Sequence, residues 1–183
     1  MTILISMDTE TTGLLKPEEN DLALQPKIVE FAAVKWDLGN ATEIDRIRMY
    51  INPEQVLPAI ITKITGITNH MLKDQMPFIG HYKQIAEFFV GADILTGHNL
   101  SFDINMLANE LLRCEKVLMF PWPPKQICTV NATMKLHGYR LNLTKLHTEL
   151  FRKAFEDSHS ALADVYAQSR CFFELINRGV IRL

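Results

Sequence analysis

The chain's patterning predicts a mixed α/β fold, and three observations carry that prediction. An apolar, β-rich run opens the sequence, two further strand-like runs follow with hairpin chemistry between them, and after Pro53 helical spacing alternates with short strands. An antiparallel start followed by such alternation gives a layered sheet with helices packed on it. At 183 residues the chain fits one domain, 1–183, with a core large enough to fold alone.

Thr2 to Met7 reads as a buried strand that delivers Asp8 and Glu10 at its end. A charged loop with Pro17 spans Gly13 to Pro26. Ile28 to Trp36 and Glu43 to Ile51 are strands, and Leu38-Gly39-Asn40 supplies the turn that makes them a hairpin. Short helical pieces follow at Ala59–Thr65 and Asn69–Lys73, with Gly66 between them. An amphipathic helix at Phe78–Val90 buries Ile85, Phe88 and Phe89. Ile94–Thr96 is a short strand that leads into Gly97-His98-Asn99. Ser101 is the expected N-cap of a helix over Phe102–Cys114, whose apolar stripe is Ile104, Leu107, Leu111 and Leu112. The proline-rich stretch around Trp122 is a loop, with the tryptophan as a candidate exposed anchor. Gln126–Val130 reads as a strand. Helices are expected at Leu143–Phe151 and Ala161–Asn177, the last stopped by Gly179.

Composition bounds the function. A formal net charge of −2 argues against a protein that coats long stretches of nucleic acid, because such binders carry a clear positive excess. It does not argue against an enzyme holding only a strand end, where divalent ions bring local positive charge. Cys114, Cys128 and Cys171 are too few and too scattered for a disulfide framework or a zinc site. No segment approaches the roughly 20 apolar residues that span a bilayer. The N-terminus lacks the basic-then-apolar pattern of a secretion signal, so a cytoplasmic location is expected.

Three short motifs carry chemistry. In Asp8-Thr9-Glu10-Thr11-Thr12-Gly13, residues two apart on a strand share a face, so Asp8 and Glu10 stand side by side. Like charges that close raise each other's pKa unless a cation joins them, and hard ions such as Mg²⁺ or Mn²⁺ prefer oxygen ligands of this kind. A solvated acidic turn is an equal reading of this hexapeptide alone. In His98-Asn99-Leu100-Ser101-Phe102-Asp103, the aspartate falls in a first helical turn, where a negative charge is favourable in any case. In His159-Ser160-Ala161-Leu162-Ala163-Asp164, the histidine stands at the mouth of the last helix and the aspartate just over a turn inside it. Together the motifs supply four carboxylates and one titratable base. Two-metal phosphoryl chemistry requires such a set, with ions about 3.5–4 Å apart.

With these residues in place, the chain resembles the DnaQ-like, or DEDDh, exonuclease family over nearly its whole length. Ile64-Thr65-Gly66-Ile67-Thr68 is similar to the family's TGI segment. Ile127-Cys128-Thr129 and Leu143-Thr144-Lys145-Leu146 have family counterparts too, and the spacing from His159 to Asp164 matches the histidine subclass. The resemblance implies an RNase H-like fold, a mixed five-stranded sheet flanked by helices. It implies that Asp8, Glu10, Asp103 and Asp164 bind two Mg²⁺ or Mn²⁺ ions, with Asp8 bridging them, and that His159 is the general base. The implied activity is 3′→5′ release of nucleoside 5′-monophosphates, with single-stranded DNA favoured over RNA as the strand. A polymerase or replication protein is a possible partner. Thr11, Thr12, Leu14, Gly66, Asn99 and Phe102 correspond to substrate contacts, Leu14 as an apolar wedge and Gly66 as the residue that permits close approach opposite it. Ordinary loop or core packing is an equal reading of these six. Acidic Glu18, Glu19 and Asp21 depart from a pattern suited to phosphate. Two other functions stay open: trimming of RNA 3′ ends, and a non-catalytic nucleic-acid-binding or assembly module.

Overall fold

A computed structural model describes residues 1–155 and 160–183, with backbone alone at 135 and 136. Its sheet has five strands in the order β3-β2-β1-β4-β5. They are β1 (Ile3–Thr11), β2 (Ile28–Asp37), β3 (Thr42–Tyr50), β4 (Ile94–Gly97) and β5 (Lys125–Cys128). The first three pair antiparallel, and β4 and β5 add parallel to β1. Both faces of β1 and β2 are covered, which is why these strands read as near-continuous apolar runs rather than as an alternation.

The helices are α1 (Ala59–Thr65), α2 (Asn69–Leu72), α3 (Phe78–Phe89), α4 (Leu100–Arg113), α5 (Thr129–His137), α6 (Leu143–Phe151) and α7 (Ala161–Asn177). One layer packs on the sheet face that carries Ile5, Met7, Phe31 and Ala33, where Ile85, Phe89, Leu107 and Leu111 of α3 and α4 complete the main core. The opposite face presents Ala32 and Val34 to Ala161 and Val165 of α7. Leu4 on that same face meets Cys171 and Phe172. Small residues on β2 and at the start of α7 let that helix lie close to the sheet, and this closeness positions Asp164.

Several expectations are corrected. β1 does not end at Met7 but runs through Asp8 and Glu10 to Thr11. The strand expected over 126–130 stops at Cys128, and Thr129 and Val130 open α5, a helix not foreseen. Two β-branched residues made that helix start look like strand, while burial of Thr129, Val130 and Thr133 fixes it as helix. α4 begins two residues early, with Asn99 rather than Ser101 at its N-cap. Asn99 adopts φ 73°, a left-handed conformation that asparagine tolerates better than most residues. Trp122 is no exposed anchor: it is half-buried, with its ring 4.6 Å from Phe120 and 6.2 Å from Phe89. Of the cysteines, only Cys171 is fully buried, and all three are free thiols. Among the described residues, no helix is long and apolar enough to cross a membrane.

Candidate active site

The site forms where β1 outruns its neighbour. β4 pairs with Leu4, Ile5 and Ser6 and then ends at Gly97, so one edge of β1 is open beyond that point. An open strand edge exposes backbone donors, and α4 supplies the partner. Asp103 Oδ1 accepts from the Thr9 backbone N–H at 3.1 Å and from the Thr9 hydroxyl at 2.8 Å. The turn between β4 and α4 presses against β1, and a Cβ at Gly97 would lie 3.0 Å from the Leu100 side chain and 3.3 Å from the Met7 carbonyl. Glycine is therefore a packing requirement here. Thr9 was not singled out by sequence, because its role depends on where β4 stops.

On the other face of the sheet, α7 brings Asp164 to Asp8 and Glu10. A carboxylate oxygen from each of the three lies within 4.8 Å of the other two. Asp103 stands beside this triad rather than inside it. Ala32 is the cross-strand partner of Asp8, so no bulky side chain crowds that carboxylate.

Burial and like charge both act against ionisation of this cluster. Burial pushes the Asp8 carboxyl well above the usual range, and Asp103, Asp164, Glu10 and Glu30 push it further. Glu10 is pushed up to about 8, by burial first and then by Asp164, Glu30 and Asp103. Asp103 is pushed up to about 7 by burial and Asp164, against the hydrogen bonds from Thr9. Three hard oxygen donors at this spacing fit a small divalent ion such as Mg²⁺ or Mn²⁺. His159, the expected base, lies outside the described residues. His98 is a different case. Its Nδ1 meets the Thr129 hydroxyl at 2.9 Å and its Nε2 the Leu141 carbonyl at 3.0 Å, and burial pushes it down to about 4. It is a neutral brace between the end of β4, the start of α5 and the segment that precedes α6.

The expected substrate contacts divide. Leu14 is 80% exposed, free for the wedge role. Thr12 is occupied: its N–H donates to the Lys27 carbonyl at 2.8 Å, and its hydroxyl accepts from Lys27 N–H at 2.9 Å and from Gln55 at 3.2 Å. The Thr11 hydroxyl donates to the Gly13 carbonyl. Thus both side chains fold the loop after β1. Gly66 has φ 73° and ends α1 in the left-handed region, which is reason enough for glycine. Phe102 packs against the main core. Asn99 accepts a hydrogen bond from Arg140 at 2.5 Å.

Comparison with known proteins places this geometry among relatives. The exonuclease family profile (RNase_T) matches residues 5–172. The 3′-5′ exonuclease DinG of Bacillus subtilis (strain 168) is 31% identical over 182 residues, 95% of this chain and 18% of DinG. The PolC-type DNA polymerase III of the same organism is 37% identical over 115 residues, 61% of this chain and 7% of PolC. The chain thus spans less than a fifth of either relative. Among solved structures, the nuclease domain of 3′hExo, a DEDDh family member bound to rAMP, superposes with a TM-score of 0.77 at 17% identity, covering 97% of this chain and 93% of that one. Exonuclease X in complex with 5′ overhanging duplex DNA gives 0.68 at 22%, covering 98% and 94%.

Proposed function

This chain belongs to the DnaQ-like (DEDDh) exonuclease family, a family of 3′→5′ hydrolases with the RNase H-like fold, and on that premise we propose that it removes nucleoside 5′-monophosphates one at a time from the 3′ end of single-stranded DNA. The observation that carries the reading is the triad of Asp8, Glu10 and Asp164, with oxygens mutually within 4.8 Å, at the open edge of β1.

In this reading Asp8, Glu10 and Asp164 would hold two Mg²⁺ or Mn²⁺ ions, with Asp103 completing the set. When bound, such a pair activates a water and neutralises charge on the departing oxygen. The residues do the rest. Asp103, fixed by Thr9, and Asp164, fixed by α7, keep the carboxylates converged without further reorganisation. His159 takes the proton from the water as its oxygen attacks phosphorus. The bond from phosphorus to the 3′-oxygen breaks, and that oxygen leaves with the shortened strand. An ordinary histidine pKa of about 6.5 suits the task. Leu14 is the apolar wedge against the terminal base, and Thr11, Thr12, Gly66, Asn99 and Phe102 shape its seat through the loop, turn and core positions they hold rather than through free side chains.

DNA is favoured because the relatives at 31% and 37% identity are named as a 3′-5′ exonuclease and a DNA polymerase. The PolC-type relatives make a polymerase the natural partner class. RNA is the second reading, favoured by the rAMP-bound neighbour. Three free thiols and no disulfide suit a reducing, cytoplasmic setting.

The experiment is parallel digestion of matched 3′-labelled DNA and RNA strands with Mg²⁺, with Mn²⁺ and with chelator. Metal-dependent release of labelled mononucleotide, faster from DNA, is expected. Intact strands in both metals would remove the enzyme reading, and faster loss of RNA would reverse the substrate assignment.

A further inference from the structure

A fifth carboxylate, Glu30, stands beside the acidic triad without belonging to it. It is 1% exposed and lies directly across the strand pair from Glu10, where it adds to the repulsion on both Glu10 and Asp8. A buried charge next to like charges is costly, and an apolar side chain would pack there more cheaply. Its bonding pattern accounts for its presence. One oxygen accepts from Arg48 Nε at 2.6 Å, and Arg48 is itself held by the Tyr50 hydroxyl at 2.8 Å. The other accepts the backbone N–H of Ala161, the first residue of α7, at 3.3 Å.

That second bond falls at the N-terminus of α7. Ser160 occupies the N-cap position and makes no side-chain capping bond, so a carboxylate from β2 serves one of the orphan N–H groups of the first turn. The same turn carries Asp164, whose N–H donates to the Ser160 carbonyl at 3.0 Å. Glu30 therefore ties three elements at one point: β3 through Arg48, β2 through its own backbone, and the start of α7 through Ala161.

We propose that Glu30 is a positioning residue, which fastens the first turn of α7 to the sheet and so sets Asp164 against Asp8 and Glu10. The inference rests on reading that triad as the metal centre of an exonuclease. Glu30 touches neither metal nor strand. It acts through the placement of Asp164.

The test is a double-mutant cycle on the full chain, with Glu30→Gln, Asp164→Asn and the pair. Mn²⁺ affinity is read by electron paramagnetic resonance, and kcat and KM are read on a single-stranded oligonucleotide. Glu30→Gln is expected to weaken Mn²⁺ binding and lower kcat by about 10-fold or more, the usual loss when an outer residue that orients a metal ligand is removed, with KM unchanged. On the Asp164→Asn background the same change should have no effect on Mn²⁺ affinity, because contacting residues acting through one ligand are non-additive. A mere loss of negative charge near the site would persist on that background, so additive losses overturn the proposal. Unchanged Mn²⁺ affinity and kcat overturn it too, as does a change confined to KM. Arg48→Met loosens Glu30 from the exposed side of the sheet and covers the case in which Glu30→Gln does not fold; it should reproduce the kcat loss in weaker form, and no loss counts against Glu30. Should the Mn²⁺ coupling appear while wild-type protein leaves strands intact, Glu30's role stands and the exonuclease reading falls.

Discussion

Asp103 and Glu110 lie on the same helix, seven residues and about two turns apart, and they are almost equally buried at 3% and 4% exposed. Their surroundings are opposite. Glu110 faces Arg113 at 3.0 Å and accepts the Ile28 backbone N–H at 3.0 Å. Arg113 goes on to donate to the carbonyls of Leu22, Gln25 and Pro26, which clamps the base of the loop between β1 and β2. Among the described residues, Asp103 accepts from the neutral donors of Thr9, with other carboxylates beyond. Burial raises both acids, but at Glu110 a cation pulls the pKa back, while at Asp103 Asp164 raises it further. A buried charge that the protein neutralises holds structure together. One left to its like-charged neighbours calls for a cation from outside.

The first way to break this contrast is to remove an acid from each end of α4's inner face. Asp103→Asn and Asp8→Ala should each lower turnover on a 3′-labelled strand by on the order of 10³-fold, equivalent to several kcal/mol of transition-state stabilisation. The metal-free fold should be no less stable for losing a repelled charge. Glu110→Gln should do the reverse, unfolding earlier in urea while folded protein keeps its turnover. If Asp103→Asn cuts fragments at the wild-type rate, the acidic edge of β1 is not where cleavage occurs.

Next in size is Arg113→Met. Removing one partner of a buried pair costs about 3–5 kcal/mol, and here it also frees three loop carbonyls. Urea denaturation measures it, and a loss below about 1 kcal/mol would make the clamp no better than a surface ion pair. The same comparison explains what sequence could and could not yield. The paired acids of β1, Asp103 in a first turn and Asp164 near the start of α7 are local patterns, so the acids that the fold brings to β1 could be picked out, as could β2 and the helices α1, α3, α6 and α7. Arg113's hold on the loop is not local, since its partners lie 87 to 91 residues away. Glu30 and Thr9 were equally invisible, because a strand glutamate or threonine carries no mark of the helix end it will meet. The role of the acidic loop was open for the same reason. Its Glu19 and Asp21 turn out to accept backbone N–H groups of Asp21 and Ala23, shaping the loop itself.

A smaller effect should come from Thr9→Val, which keeps the shape and the backbone N–H but deletes the hydroxyl that donates to Asp103 at 2.8 Å. A hydrogen bond to a charged group is worth about 1.5–3 kcal/mol, so a rate loss of roughly 10- to 150-fold is expected. No change in rate would mean that the backbone N–H alone holds Asp103 in place.

The last effect is on thermal stability, and it reports the sign of the acidic cluster directly. Glu10 and Asp103 hold their protons up to about 8 and about 7 in the folded chain, whereas unfolded carboxyls release theirs near pH 4. Between those limits the folded state binds more protons than the unfolded state, so stability falls as pH rises. Metal-free wild-type protein should therefore lose Tm from about pH 5 to about pH 8, each kcal/mol lowering Tm by about 2–4 °C for a chain of this size. Glu10→Gln should flatten that fall, because the substituted side chain has no proton to release and removes one repelling charge. Added Mn²⁺ should raise the wild-type Tm more at the alkaline end, since ions and protons compete for the same oxygens. Calorimetry across this range decides the matter. A wild-type slope no steeper than that of Glu10→Gln would mean that solvent already screens these carboxylates from one another, and the contrast between the two ends of α4 would lose its electrostatic basis.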